Sequence, residues 1–385
     1  MRRVYLDHNA TTPVAPEVLE AMLPYFSQRF GNASSVHSFG REAKRALEDA
    51  RETVAEAIGA RASEIIFVGS GTEADNTALK GVAWALRDRG RHIVTSRVEH
   101  KAVLETCHFL ERHGFEVTYV AVDRYGMVHP EAVREALRDD TILVSVMHAN
   151  NEVGTVNPIA EIGALCRERG VLFHTDAVQS FCKLPFHVDE LNVDLASFSG
   201  HKVYGPKGVG VLYARRGVRF EPLLHGGEHE RNRRASTVNV AGAVGFARAV
   251  ELAAGRLEQE VAHLTELRDR LWEGIRQRVE DVHLNGHPEK RLPGTLNVSF
   301  GGIEGESLLL SLDMKGVAAS AGSACTSGSL SPSHVLDAMG VPLELARAAV
   351  RFSLGAGNTR EDVDYTLEIL PEIVQRLRAL SEMSR

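Results

Sequence analysis

Leu195-Ala196-Ser197-Phe198-Ser199-Gly200-His201-Lys202 runs through Val203-Tyr204-Gly205-Pro206-Lys207-Gly208 into Val209-Gly210-Val211-Leu212-Tyr213. Two short apolar runs flank a glycine-rich turn that carries a lysine. Runs of this length, bounded by glycine and proline, suit strands buried in a sheet. More lie upstream: Ile65-Ile66-Phe67-Val68, His92-Ile93-Val94-Thr95, Val117-Thr118-Tyr119-Val120, Ile142-Leu143-Val144-Ser145-Val146 and Val171-Leu172-Phe173. Helical patterns such as Thr72 to Arg87 and Pro130 to Leu137 separate most of them. Strands alternating with helices predict an α/β fold with a mostly parallel sheet covered on both faces. Ligands in such sheets bind beyond the carboxyl ends of the strands. Further along, Leu257, Val261, Leu264, Leu271 and Ile275 recur at helical spacing, which predicts one long helix bridging two domains. Gly294-Thr295-Leu296-Asn297-Val298-Ser299-Phe300 then opens a second, smaller α/β region.

At 385 residues the chain exceeds the usual size of one domain. Its 44 basic and 51 acidic residues give a net charge of −7, which argues against a nucleic-acid-binding face. The basic stretch Arg231 to Arg234 reads as a local anion site or a solvated loop. Four cysteines, Cys107, Cys166, Cys182 and Cys325, are widely spaced. That spacing argues against a disulfide framework or a zinc ribbon, so no metal site is expected and a reducing compartment fits. The N-terminus lacks the apolar segment of a secretory signal, and no apolar run is long enough for a membrane helix. A cytoplasmic protein is the expectation.

Three segments carry chemistry. A lysine just past a strand, among small hydroxyl residues and glycines, suits Lys202 as a Schiff-base lysine whose burial lowers its basicity. The alternative is a solvated lysine on a surface turn. Asp176, in His174-Thr175-Asp176-Ala177-Val178-Gln179, ends the preceding strand. One β–α–β step would bring it to the same sheet edge, where a carboxylate can keep a ring nitrogen protonated. It could equally cap a helix. Gly69-Ser70-Gly71-Thr72-Glu73-Ala74-Asp75-Asn76 joins a strand to a helix and offers backbone amides to an anion. The plain reading is a glycine turn with Thr72 as the cap.

In this order and context the segments resemble the fold-type I pyridoxal-phosphate enzymes. Within them the sequence is similar to the cysteine desulfurases of aminotransferase class V, almost end to end. Tyr5-Leu6-Asp7-His8-Asn9-Ala10-Thr11-Thr12-Pro13 resembles the family's N-terminal signature, and Gly31-Asn32-Ala33-Ser34-Ser35-Val36-His37 its next block. Asn150-Asn151-Glu152-Val153-Gly154-Thr155 and Ser199-Gly200-His201-Lys202 are specific matches. Ser323-Ala324-Cys325-Thr326-Ser327-Gly328-Ser329-Leu330 resembles the cysteine loop of the nitrogen-fixation and housekeeping iron–sulfur branch. Two departures stand out: Ser236 where the family usually has Gly, and Asn32-Ala33 where Asn-Pro is usual.

The resemblance implies a seven-stranded, mostly parallel sheet in a large domain over 16–255. Residues 1–15 and 256–385 would form the small domain. It implies that Lys202 carries pyridoxal 5'-phosphate, that Asp176 pairs with the pyridine nitrogen and Gln179 with the ring hydroxyl, and that His100 stacks on the ring and moves protons. Gly71, Thr72, Ser199 and His201 would hold the phosphate. Thr237 would reach the phosphate of the neighbouring subunit in a homodimer. Asn151, at the cofactor, would hold the substrate carboxylate together with Arg351.

Cys325 is embedded in glycine, serine, alanine and threonine from Ser320 to Ser329. A run of small polar residues favours an exposed loop over the buried packing role usual for a free cysteine. The other three cysteines sit in helix- or strand-like contexts and read as packing residues. By resemblance, Cys325 would attack the sulfur of L-cysteine, leave L-alanine and carry the sulfur as a persulfide. It would pass that sulfur to an iron–sulfur scaffold protein or another acceptor, and could ligate a transient iron–sulfur cluster. A class V aminotransferase or a selenocysteine lyase is the nearest rival reading. His225-Gly226-Gly227-Glu228-His229 matches a zinc-protease string, but two central glycines oppose the helix that motif needs.

Overall fold

A computed structural model describes residues 2–321 and 333–383. Cys325 lies outside the described residues. Among those described, the strands in chain order are β1 (Val4–Tyr5), β2 (Ile65–Val68), β3 (His92–Ser96), β4 (Glu116–Val120), β5 (Thr141–Ser145), β6 (Leu172–Asp176), β7 (Leu195–Ser199), β8 (Gly210–Ala214), β9 (Val282–Asn285), β10 (Thr295–Phe300), β11 (Val317–Ala318) and β12 (Ala349–Ser353).

Seven of them form the main sheet in the order β2-β8-β7-β6-β5-β3-β4. β3 to β7 pair in parallel, while β8 runs antiparallel to both β7 and β2. The run Val209–Tyr213 is therefore a return strand, reached through the short Lys202–Gly208 turn that leaves no room for a crossover helix. β2, β3, β5, β7 and β8 are buried along their whole length, which is why they read as continuous apolar runs. Helices cover the faces: Gly71–Leu86 and Lys101–Glu111 pack over one, Ser38–Ala57 and Val240–Ala254 over the other.

Two expectations need correction. Residues 177–194, between β6 and β7, form turns and no regular helix, so Asp176 and Lys202 are joined by a non-helical crossover. The long helix expected over Leu257 to Ile275 is Leu257–Arg278, which follows a separate helix, Val240–Ala254, across Gly255–Arg256. Glycine is a poor helix former and terminates the first helix there. The second helix buries Leu264, Leu267, Leu271 and Ile275 against Leu296, Val298, Phe300, Val350 and Phe352 of the three-stranded sheet β12-β10-β9. Val4 and Leu6 join this second core, and β1 pairs with β11, so the N-terminal strand packs with the C-terminal part of the chain. Lastly, Cys182 lies in a turn with φ +58°, not in a helix or strand.

Candidate active site

The turn after β7 aims Lys202. Gly200 to Lys202 form a single 3-10 turn. A Cβ on Gly200 would fall 2.8 Å from Pro206 O, so the turn closes only with glycine there. Lys202 Nζ donates to the carbonyls of Asn9 and Ala10. Burial, then the charges of Lys183 and Arg351, pull this amine down to about 7, against the opposing pull of Asp176 and Asp7. It is a half-buried amine held by two carbonyls and not a solvated surface lysine.

Asp176 ends β6, level with Ser197 of β7. Its Oδ1 accepts from Val178 N at 2.9 Å, a local turn bond instead of a helix cap. Burial raises this carboxyl, and His100 and Lys202 partly offset that rise. Gln179, in the following turn, donates from Nε2 to Asn9 O at 2.9 Å.

The helix Gly71–Leu86 points its N-terminus at the same place. Ser70, not Thr72, is its cap: Ser70 Oγ accepts from Glu73 N, and Glu73 Oε2 accepts from Gly69 N at 2.7 Å. The Ser70-Gly71-Thr72-Glu73 spacing is that of a capping box, but Glu73 reaches back to Gly69, one residue before the cap. The Ser70 cap leaves exposed Thr72 free of a capping duty. Gly71 sits against Val178, whose Cγ2 would be 2.7 Å from an added Cβ. His201 is paired through Nδ1 with Thr11 Oγ1 at 3.1 Å, and burial lowers it to about 4.

His100 caps the helix Lys101–Glu111 by accepting at Nδ1 from Ala102 N. The proton of the neutral ring is therefore assigned to Nε2. Burial lowers His100 and keeps it neutral. Arg351, on β12 and 2 % exposed, donates to Asn151 O at 2.8 Å and to Asp7 Oδ1 at 2.9 Å.

These residues share one cavity of about 250 Å³. Gly71, Thr72, His100, Asn151, Asp176, Gln179, Ser199, His201, Lys202 and Arg351 all line it. So do Asn9, Ala10, Ser70, Asp75, Met147 and Val178, which the sequence reading had not singled out as site residues. The capping-box spacing would have found Ser70, and the i, i+4 relation to Gly71 would have found Asp75. Thr237 does not line the cavity and is exposed in the loop after Glu230–Asn232. In that loop Arg234 pairs with Glu73 and Arg233 donates to Ser63 O, so the basic stretch is tied to its own chain. His225–His229 is not helical.

Cys107 and Cys166 are buried, and burial pushes the thiols of Cys166 and Cys182 up to about 12. None of these described cysteines lines the cavity. The described residues flanking 322–332 are anchored beside it. Ser320 and Arg351 exchange backbone hydrogen bonds, Ser333 Oγ donates to Glu152 Oε2 at 2.5 Å, and His334 Nε2 donates to Glu99 O at 3.0 Å.

The donor set suits pyridoxal phosphate on chemical grounds. An amine with depressed basicity faces a buried carboxyl, and a helix N-terminus with Ser70, Ser199 and His201 nearby offers an anion site.

The aminotransferase class-V model matches residues 4–366. A protein named cysteine desulfurase IscS from Dictyoglomus turgidum is 55 % identical over 380 residues, covering 99 % of this chain and 96 % of its own. Its namesake from Methanosarcina thermophila is 55 % identical over 383 residues, covering 100 % of this chain and 95 % of its own. A solved structure titled NifS-like protein superposes with a TM-score of 0.92 at 44 % identity, covering 98 % of this chain and all of that one. Another, titled SspA in complex with cysteine, gives 0.82 at 40 %, covering 92 % of this chain and all of that one. With matches of this extent over a site of this chemistry, the chain belongs to the class-V aminotransferase family and, within it, to the cysteine desulfurases.

Proposed function

We propose that this protein is a pyridoxal-phosphate-dependent cysteine desulfurase, a sulfurtransferase that converts L-cysteine to L-alanine and carries the sulfur as a persulfide on Cys325. One observation carries the reading: the half-buried, weakly basic Lys202 amine shares a single cavity with Asp176 and the N-terminus of Gly71–Leu86.

In this reading Lys202 holds the cofactor aldehyde and Asp176 faces its ring nitrogen. Gln179 meets its ring hydroxyl, and Ser70, Gly71, Thr72, Ser199 and His201 hold its phosphate. The bound group supplies an electron sink that makes the substrate Cα–H acidic. Every other task falls to the chain. Arg351 receives the substrate carboxylate with Asn151 beside it, a fork suited to a carboxylate. Lys202, largely neutral above about pH 7, takes the Cα proton. His100 offers an Nε2–H to the ring side and, with its Nδ1 occupied, is a donor and not a base. The Cys325 thiolate forms an S–S bond to the substrate sulfur as the Cβ–S bond breaks, and Cβ ends with the hydrogen. L-cysteine and the Cys325 thiol thus become L-alanine and a Cys325 persulfide. Ser320, five positions before Cys325 in the sequence, exchanges backbone hydrogen bonds with the cavity residue Arg351.

Residues 16–255 would form the cofactor domain, and 1–15 with 256–385 the smaller one. A homodimer is supported by exposed Leu19, Leu23, Phe26, Phe30, Val36 and Phe39, a grouping of apolar side chains that a lone soluble chain seldom presents. Exposed Thr237 would then serve the partner's phosphate. The sulfur would go to an iron–sulfur scaffold protein or another acceptor in the cytoplasm. No described helix is long and apolar enough to cross a membrane.

Mass spectrometry after exposure to L-cysteine tests the reading. One added sulfur on the Cys325 peptide, with alanine formed, is expected. Cys325→Ala should keep the cofactor absorbance and lose both products. A keto acid as product, or alanine formation undiminished in Cys325→Ala, would overturn it.

A further inference from the structure

The cavity contains one acidic group without a task. Asp75 sits one turn into the helix Gly71–Leu86 and lines the cavity wall. It is 1 % exposed, and its Oδ1 has no hydrogen-bond partner. The basic group beside it is His174, with Nε2 3.6 Å from Oδ1. That imidazole supplies no charge. It is fully buried, its Nδ1 is paired with Ser145 Oγ at 2.9 Å and its Nε2 with Ser197 Oγ at 3.0 Å, and burial holds it down to about 3.

The other groups that act on Asp75 are accounted for. From β7 comes the Ser197 hydroxyl, which favours the charged form only weakly against burial. From the turn after β3 comes Glu99, already bonded to Ser96 Oγ and Met147 N. From the end of β6 comes Asp176, which faces Lys202 and His100. Asp176 opposes a negative charge on Asp75, and burial pushes Glu99 itself up to about 8, so it supplies no counter-charge either. An ionised Asp75 would be a buried charge with no counter-ion, and a group so placed takes up a proton instead.

We propose that Asp75 stays a neutral carboxylic acid in the enzyme and acts as a positioning residue for Asp176, confining the negative charge of the pair to the carboxylate that faces the cofactor's ring nitrogen. The inference rests on the pyridoxal-phosphate reading above. Two carboxyls sharing one site do not both ionise. The second one, kept neutral, fills space beside Asp176 and excludes water without competing for the ring proton.

Infrared spectroscopy of the apoprotein at neutral pH reads the protonation state directly. The C=O stretch of a protonated carboxylic acid is expected in the wild type and should lose intensity in Asp75→Asn. The pH dependence of apoprotein stability gives a second reading. Burial raises Asp75 above its unfolded value, so the wild type loses stability as pH climbs from the ordinary aspartate range toward the raised one. Asp75→Asn should flatten that decline. Pyridoxal phosphate titration gives the third. Asp75→Ala should bind roughly tenfold more weakly, and Asp75→Asn, which mimics the neutral acid, should recover most of that loss. The cofactor band of Asp75→Asn should sit where the wild type's does, while that of Asp176→Asn moves. An infrared spectrum and a stability profile unchanged by Asp75→Asn, or a band moved as far as in Asp176→Asn, overturns the proposal with the cofactor reading intact. If the wild type takes up no pyridoxal phosphate, the cofactor reading falls and this role falls with it.

Discussion

Arg51→Met probes how the loop bearing Thr237 is held. Arg51, on the helix Ser38–Ala57, forms a two-toothed ion pair with Glu230: Nη1 to Oε2 and Nη2 to Oε1, both 2.7 Å. Arg51 Nη1 also donates to Ile65 O at 2.8 Å, and Phe67 N donates to Glu230 Oε2 at 3.0 Å. The two side chains are 4 % and 2 % exposed. Glu230, Arg231 and Asn232 all have positive φ, at 45°, 57° and 63°. Three consecutive non-glycine residues in that region cost roughly 3–6 kcal/mol together, at about 1–2 each. Removing the guanidinium leaves a buried carboxylate with one backbone donor, a loss of about 3–5 kcal/mol. That penalty and the stored backbone cost are of similar size, and releasing the turn relieves both. The turn should therefore open and free the segment that leads to Thr237. Urea unfolding of the apoprotein measures the loss, and hydrogen exchange should speed up over 230–239. Adding Glu230→Leu removes the stranded charge, so the double variant should recover about 2–3 kcal/mol relative to additivity. A loss below about 1 kcal/mol for Arg51→Met, or strict additivity in the cycle, would refute the reasoning.

Ser236 holds φ +109°, a value that favours glycine, at the position where the family usually has Gly. Ser236→Gly should stabilise the apoprotein by about 1 kcal/mol in thermal unfolding, whereas Ser236→Ala should give no gain. Gly200→Ala would press a methyl group against Pro206 O, so we expect a loss of about 1–3 kcal/mol, and a redirected Lys202 should bind pyridoxal phosphate without its covalent absorption band. Lys202 is lowered to about 7 in the fold, so the folded chain binds fewer protons than the unfolded one between there and the ordinary lysine value. Apoprotein stability should therefore rise with pH across that window, a slope lost in Lys202→Met. Covalent cofactor capture, followed by stopped-flow absorbance, should be half-maximal at about pH 7, and a flat profile would count against a neutral amine.

The sequence by itself determined the strands of the main sheet, the placement of Lys202 and Asp176 at strand ends and the helix start at Gly71, because each is written within a window of a few residues. Apolar run length, a glycine beside a lysine and a Ser-x-x-Glu box are local signals, and local physics decides them. It differed where neighbouring options were close in energy: Ser70 in place of Thr72 as the cap, and turns in place of a helix after Asp176. Only the tertiary structure decided which distant groups meet. The carbonyls of Asn9 and Ala10 hold Lys202 from more than 190 positions away, and Asp7 meets Arg351 across 344. Asp75 acquires its unpaired, buried state from β6 and β7, not from its own helix. Desolvation and charge–charge coupling depend on what surrounds a group in space, and no stretch of neighbouring residues encodes that.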